Sequence, residues 1–207
     1  MGESGTQSPK GTGRGSRAGF RVEDAPRLEA VLSAIKRAYR DVENGRYRLR
    51  DLALVATLAF TGCRLGETLR LKAGDLDPKS KTARVLQEKK GQPHPRMVPV
   101  PAPVFWEILE RYLRRIPHKE DPLFPVSERQ ARNVVYKFSK RYLGKRIRPH
   151  AIRHSYALFV LRATKDLEVV RRLLGHSDYK WLKVYLNYTQ EDLASELEKA
   201  FREVESW

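Results

Sequence analysis

Residues 48–71 read RLRDLALVATLAFTGCRLGETLRL, and this stretch decides the fold of the chain. Its first part, residues 48–60, is apolar on nearly every side at helical length, which predicts a helix buried in a protein core. Thr61 and Gly62 break that helix, and residues 64–71 resume as a short second one. A phosphate-seeking side chain, Arg64, therefore stands directly beside a backbone break at the end of a buried helix.

Helical spacing of apolar residues continues on both sides of this stretch. Further helices are predicted at residues 26–43, 103–116, 127–143, 149–162 and 167–174 and from residue 189 onward. The predicted N-caps are Asp24, Ser127 and Asp166, and the predicted stops are Asn44-Gly45, Gly144 and Gly175. The only β-like region has a turn at residues 76–79, then strands at residues 82–87 and 97–100 around a Gly/Pro-rich loop at residues 89–95. The pattern predicts a mainly α (α+β) fold of several helices with one small antiparallel β-sheet.

Composition divides the chain into three parts. Residues 1–20 are basic and Gly-rich and cannot bury a core, so we expect a flexible arm or the remnant of an expression tag. Residues 21–188 hold the folded domain. Residues 189–207 are predicted as an amphipathic helix that packs on its own domain or on a neighbouring molecule, and the sequence leaves both open.

The charge of the chain points to a polyanionic partner. Forty-one Lys and Arg against 25 Asp and Glu give a net charge of +16, and a field of that sign attracts nucleic acid first and an anionic membrane second. No apolar run approaches the roughly 20 residues needed to span a bilayer, and the N-terminus has no signal-peptide pattern. A single cysteine, Cys63, excludes an intrachain disulfide. We therefore expect a soluble, cytoplasmic protein.

Four short segments place reactive or phosphate-binding side chains beside backbone breaks. They are residues 61–67 (TGCRLGE), 150–154 (HAIRH), 173–176 (LLGH) and 183–186 (KVYL). Their order and spacing resemble the phage-integrase family of tyrosine recombinases, in which a tyrosine lies nine residues after the histidine of an L-G-H segment, as Tyr185 follows His176 here. A fifth segment, Lys90-Gly91 followed by Arg96 and a V-P strand, is similar to the hairpin that carries the family's active-site lysine. The resemblance runs from about residue 21 to the C-terminus and implies the family's multi-helix catalytic domain.

The resemblance implies a site for DNA strand cleavage and rejoining through a phosphotyrosine bond. The implied catalytic residues are Arg64, Lys90, His150, Arg153, His176 and Tyr185, with Glu67 and His154 in support. Displacement at a phosphodiester concentrates negative charge on the non-bridging oxygens, and two guanidinium forks suit bidentate contacts with them. A lysine is suited to protonating the leaving 5′-oxygen, and a histidine to accepting the phenol proton. No cofactor, metal or ATP is expected, since the cations are side chains and one phosphodiester replaces another.

Several assignments stay open at this level. Lys89 is the alternative to Lys90, because the loop before Arg96 departs by one residue from the usual spacing. Tyr188 is the reserve nucleophile. His150 and His154 lie four apart on one helix face, a spacing that also suits half a metal site, but no Cys or carboxylate pattern accompanies them. His154 is expected to pack or hydrogen-bond in support of Arg153.

The expected function is that of a site-specific DNA recombinase or integrase acting on double-stranded DNA as a homo-oligomer, expected to be a tetrameric synapse. A type IB topoisomerase-like strand transferase and a catalytically silent DNA-binding module are the alternatives. The family normally adds an N-terminal DNA-binding domain, and nothing of that size precedes residue 21. We therefore expect an excised catalytic domain, part of a split integrase or a minimal family member.

Overall fold

The computed structural model describes residues 25–89 and 92–175 together with Tyr185. Within these residues, the fold consists of seven α-helices and one three-stranded antiparallel sheet. The helices are α1 (Leu28–Glu43), α2 (Leu49–Thr61), α3 (Leu65–Arg70), α4 (Pro103–Leu113), α5 (Glu128–Leu143), α6 (Pro149–Thr164) and α7 (Leu167–Leu174), and the strands are β1 (Leu76–Asp77), β2 (Thr82–Lys89) and β3 (Gln92–Pro99). The predicted mainly helical fold class with a small antiparallel sheet is confirmed.

Helix α2 is the centre of the core, as its sequence predicts. Ten of its 13 residues are buried, and the helix packs against α1, α4 and α6. A helix that is apolar all round buries every face, so it fixes the positions of its neighbours. Gly62 ends α2 in the left-handed conformation with φ of 62°, and its N–H donates to the carbonyl of Leu58. The end of this rigid helix therefore determines where the chain turns into α3.

The sheet is longer than the sequence predicts. Residues 76–79 were expected to form a turn, but Leu76–Asp77 pairs with β2 as a short strand. The predicted loop at residues 89–95 is also wrong in extent, since residues 92–95 pair with residues 86–89 of β2. Strand β3 is an edge strand, and its prolines at 93, 95 and 99 all occupy odd-numbered positions. At these alternate positions the backbone N atoms face away from β2. Proline costs no ladder hydrogen bond there, so it does not break the strand.

The helix boundaries follow local capping, with two corrections: the start of α1, and the end of α4, which lies at Leu113 instead of the predicted residue 116. Ser127 and Asp166 cap α5 and α7 by accepting backbone N–H bonds, and Gly144 and Gly175 end them, as predicted. Helix α1 begins at Leu28 after Arg27, so the expected start at residue 26 behind an Asp24 cap is wrong; Asp24 itself lies outside the described residues. Among the described helices, none combines the length and apolarity needed to cross a membrane.

Candidate active site

The turn between α2 and α3 presents Arg64 at the protein surface. Thr61 stabilises this turn, because its hydroxyl accepts the backbone N–H of Cys63 at 3.2 Å. Arg64 is the N-cap residue of α3, with extended backbone and a side chain that is 47% exposed. The residue three positions later, Glu67, closes the turn by accepting the backbone N–H of Arg64 at 2.9 Å. The guanidinium of Arg64 is thus held beside a fixed helix start.

One buried carboxylate organises three arginines. Glu67 is 3% exposed and accepts Nη1 of Arg64 and Nη2 of Arg96, both at 2.9 Å. Nη1 of Arg153 lies 3.8 Å from the same carboxylate. Burial alone would raise the pKa of Glu67, but the hydrogen bond and charge of Arg96, with the other donors, lower it overall. Three guanidinium groups against one carboxylate leave this cluster with an excess of positive charge.

Arg153 is the most buried of the three arginines. Its side chain is 2% exposed, and its fork donates to the carbonyls of Gly62 at 2.7 Å and Leu174 at 2.8 Å. Arg153 therefore joins the end of α2 to the end of α7. Burial lowers its pKa to about 10, and repulsion by Arg64 adds to the effect. The group still keeps its proton at pH 7, and a bound anion would relieve the repulsion.

A basic pocket of about 230 Å³ opens above this cluster. Arg64, His150 and Arg153 line it together, which brings three of the predicted catalytic residues to one place. Three further side chains in its wall come from α5 and the loop before α6: Arg132, Tyr136 and Arg148. Arg132 forms an ion pair with Glu128, the one acidic residue among those lining the pocket. The pocket therefore has the charge and size to receive a phosphate group.

Two histidines on α6 connect the pocket to Tyr185. The rings of His150 and His154 meet edge to face with their centroids 4.5 Å apart. Burial, followed by the charges of Arg153 and Arg64, lowers the pKa of His150, which favours the neutral ring that can accept a proton. Nδ1 of His154 lies 2.6 Å from the hydroxyl of Tyr185. This hydrogen bond joins His154 to Tyr185, a partner that the sequence did not suggest.

Tyr185 is buried in this structure. It is 2% exposed and lies beside His154, outside the set of residues that line the basic pocket. Burial raises the pKa of its phenol to about 12. The phenol is therefore neutral at physiological pH, and its loss of a proton requires a nearby acceptor.

Some predicted residues cannot be placed. Lys90 and His176 lie outside the described residues, as do the alternative Tyr188 and the helix predicted from residue 189. The side chain of Lys89 is likewise not described. Within the described residues, no group of three or more His, Cys, Asp or Glu is arranged to hold a metal ion.

Sequence reasoning missed the arginines that complete the site. Arg96 was noted only as part of a hairpin motif, yet it contacts Glu67 and the end of α7. Arg132 and Arg148 line the pocket without belonging to any of the quoted segments. Their only signal in the sequence is position: Arg148 precedes α6, and Arg132 occupies the first turns of α5.

The family model and the similar curated proteins all indicate one protein family. The model of the phage integrase family matches residues 28–192. Tyrosine recombinase XerA of Pyrococcus furiosus is 30% identical over 161 residues, which are 74% of this chain and 55% of the relative. Tyrosine recombinase XerC of Methylobacterium nodulans is 33% identical over 195 residues, which are 84% of this chain and 58% of the relative. The chain thus spans a little over half the length of these curated relatives.

Solved structures show the same fold. A crystal structure of XerA recombinase superposes with a TM-score of 0.62 at 24% identity, covering 76% of this chain and 57% of that one. XerH site-specific recombinase in a post-cleavage complex with palindromic difH substrate gives a TM-score of 0.62 at 23% identity, covering 82% of this chain and 50% of that one. The family model matches well over half of the sequence, so the resemblance seen in the five motifs is confirmed, and this chain belongs to the phage integrase family of tyrosine recombinases.

Proposed function

We propose that this chain is the catalytic domain of a site-specific recombinase that cleaves and rejoins double-stranded DNA through a 3′-phosphotyrosyl intermediate. The observation that carries the proposal is the pocket where Arg64, Arg153 and His150 meet over a cluster with more guanidinium groups than carboxylates. Such a pocket attracts a phosphate and stabilises the charge that develops on it during displacement. Family membership supports the same chemistry.

The two pocket arginines act on the non-bridging oxygens of the scissile phosphate. Arg64 is half exposed and its Nη1 donates to Glu67, so the exposed part of its fork is held in one direction at the surface, where DNA approaches. Arg153 contributes a buried charge whose position is fixed by two backbone carbonyls. A positioned charge needs no reorganisation when the transition state forms, which makes its electrostatic stabilisation more effective.

The phenol oxygen of Tyr185 forms the new bond to phosphorus. The bond from phosphorus to the 5′-oxygen breaks, which leaves a 3′-phosphotyrosine and a free 5′-hydroxyl. The phenol proton passes to an imidazole: His150 has a lowered pKa in the pocket, and His154 already contacts the Tyr185 hydroxyl. Lys90 supplies the proton that the leaving 5′-oxygen takes up, and His176 donates a hydrogen bond to the phosphate.

Tyr185 has to move before it attacks. In the structure it is buried beside His154 and is not among the residues that line the phosphate-sized pocket. We propose that binding of DNA brings the phenol from His154 to the phosphate. The basic rim formed by Arg132 and Arg148 contacts the neighbouring phosphates and supplies a salt-dependent part of the affinity.

The assembly on DNA is proposed as a homo-oligomer, a tetramer at the synapse of two duplexes, in the cytoplasm where the DNA of a prokaryotic cell lies. Two DNA duplexes exchanging strands present four phosphates for cleavage, and each subunit supplies one tyrosine. Relaxation of supercoiled DNA without a sequence preference is the result that would favour a type IB topoisomerase instead.

Covalent capture tests the proposal directly. The protein is incubated with a pool of nicked duplexes of randomised core sequence, in which the short strand released by cleavage diffuses away and traps the intermediate. We expect a protein–DNA adduct that survives SDS and is lost on protease treatment, with the DNA attached through its 3′ end. Sequencing of the captured strands then gives the preferred site.

Two variants assign the nucleophile. Tyr185→Phe is expected to abolish the adduct while DNA binding persists, since only the hydroxyl is removed. Tyr188→Phe serves as the matched control and is expected to leave adduct formation intact. An adduct of undiminished yield with Tyr185→Phe would refute the assignment, and no adduct with any duplex of the pool would refute the proposed function.

A further inference from the structure

Arg96 makes contacts that no role in the proposed chemistry explains. It lies on the edge strand β3 opposite Val85, and its side chain is only 11% exposed. Its Nη2 donates to Glu67 at 2.9 Å and lies 3.6 Å from the sulfur of Cys63. Its Nε donates to the carbonyl of Leu173 at 3.0 Å. One guanidinium therefore spans two parts of the chain that are more than 100 residues apart.

At one end, Arg96 fixes the carboxylate that holds Arg64. Oε2 of Glu67 accepts both Nη2 of Arg96 and the backbone N–H of Arg64, while Oε1 accepts the side chain of Arg64. The position of this carboxylate thus sets the direction of the Arg64 fork. A charge-assisted pair at low exposure restricts that direction more than a solvent-exposed pair does.

At the other end, Arg96 fixes the last turn of α7. The carbonyls of Leu173 and Leu174 belong to the group that an α-helix leaves unpaired at its C-terminus. Arg96 takes the first and Arg153 takes the second. Cations are favoured at this end of a helix, so both contacts hold the point where the chain continues to His176.

A stability role alone is a poor explanation for Arg96. Its Nη1 atom is buried and has no hydrogen-bond partner among the described residues. A buried donor without a partner destabilises the folded state, so an apolar or smaller side chain would suit the core better. What the guanidinium provides is reach, because its nitrogens contact Glu67 and Leu173 at once, whereas a single lysine nitrogen cannot serve both.

We propose that Arg96 is a positioning residue that couples the direction of Arg64 to the end of α7, and so aligns two of the groups that surround the phosphate. The inference rests on the proposed function only for the identity of the chemistry that is aligned. Arg96 itself is not expected to touch DNA, since its contacts are all within the protein.

Arg96→Lys tests this coupling, with Arg84→Lys as the matched control. Arg84 lies on the adjacent strand and also pairs with a buried carboxylate, that of Asp75. This pair involves neither Glu67 nor the end of α7. Hydrogen–deuterium exchange of the full chain without DNA is the first measurement. We expect Arg96→Lys to speed exchange about tenfold in both residues 64–68 and residues 171–175, since a charge-assisted hydrogen bond is lost, and Arg84→Lys to change neither.

Cleavage supplies the second measurement. With saturating nicked duplex, Arg96→Lys is expected to slow adduct formation by roughly 10- to 100-fold while the Kd for DNA stays within about threefold, as expected when geometry rather than affinity is lost. Glu67→Gln provides the reciprocal test in exchange alone, because it should loosen residues 171–175 through Arg96.

The outcomes separate the two proposals. Faster exchange in only one of the two segments, or equal effects of Arg96→Lys and Arg84→Lys, would overturn the coupling. If the wild-type protein forms the adduct and Arg96→Lys forms it equally fast, the coupling is also overturned, but the proposed function stands. A wild-type protein that forms no adduct would remove the proposed function, and the exchange data would still decide whether Arg96 couples the two segments.

Discussion

Substitution of Gly62 by alanine is expected to damage both the fold and the site. Gly62 has a φ of 62°, where a side chain costs about 1–2 kcal/mol. A Cβ atom built there would lie 2.3 Å from Cδ1 of Tyr156 and 2.8 Å from its Cε1. The ring of Tyr156 is 7% exposed and packed in the core, and overpacking of this kind costs about 1–3 kcal/mol. The sum is about 2–5 kcal/mol, a large part of the stability of a domain of this size.

Gly144→Ala is the matched control for this substitution. Gly144 also ends a helix, with a φ of 72°, but nothing lies within 4 Å of its would-be Cβ. We expect it to show only the backbone cost, about 1–2 kcal/mol. Urea denaturation of both variants, followed by far-UV circular dichroism, gives the difference in unfolding free energy from the midpoint and slope.

The same substitution also reports on Arg153. The carbonyl of Gly62 accepts Nη1 of Arg153 at 2.7 Å, so a backbone shift at Gly62 displaces the buried fork. Adduct formation by Gly62→Ala is therefore expected to fall under conditions where the protein is still folded. Equal destabilisation by Gly62→Ala and Gly144→Ala would refute the reasoning, since it would mean that Tyr156 yields without cost.

Three further outcomes are expected. Burial and the charges of Arg153 and Arg64 lower the pKa of His150, so its ring is neutral at pH 7. Single-turnover cleavage should therefore fall only as the pH drops below 6.5, the ordinary pKa of histidine, and the same fall in a His150→Gln variant would contradict this. Lys90→Ala should lose about 10²–10⁴ in cleavage rate and regain it on a duplex with a sulfur in place of the leaving 5′-oxygen, because a thiolate leaves without a proton; rescue of Lys89→Ala instead would reassign the acid. The folded-state pKa of Glu67 is lowered, so the free energy of unfolding should fall as the pH drops below 4.5, the ordinary pKa of this carboxyl, and Glu67 becomes protonated. In Glu67→Gln the urea midpoint should depend less on pH in this range, and an unchanged dependence would count against the role of the carboxylate.

The sequence by itself determined the architecture and the family. The all-round apolar pattern of residues 48–60 required a buried helix, and Ser127, Asp166, Gly144 and Gly175 marked helix ends through local chemistry that needs no tertiary contact. Five short motifs in one order were enough to indicate the family. Patterns of this kind are readable because periodicity and capping act over only a few residues.

The sheet was less predictable because proline has opposite meanings in different strands. Pro93 and Pro95 read as loop residues, yet the structure has both in β3. Their placement is allowed only because β3 is an edge strand with those N atoms turned away from β2. Which strand lies at an edge depends on the topology of the whole sheet, which the local sequence does not contain.

The tertiary structure alone decided which residues meet. Arg96 and Glu67 are 29 positions apart and Arg96 and Leu173 are 77 apart, so no local pattern could pair them. The contact of His154 with Tyr185 and the burial of that phenol likewise arise only when α6 packs against Tyr185, a residue that lies beyond α7 in the chain. Short motifs in the sequence identify the residues of the site. The distances between these residues depend on how a buried helix, an edge strand and two helix ends are packed around one carboxylate.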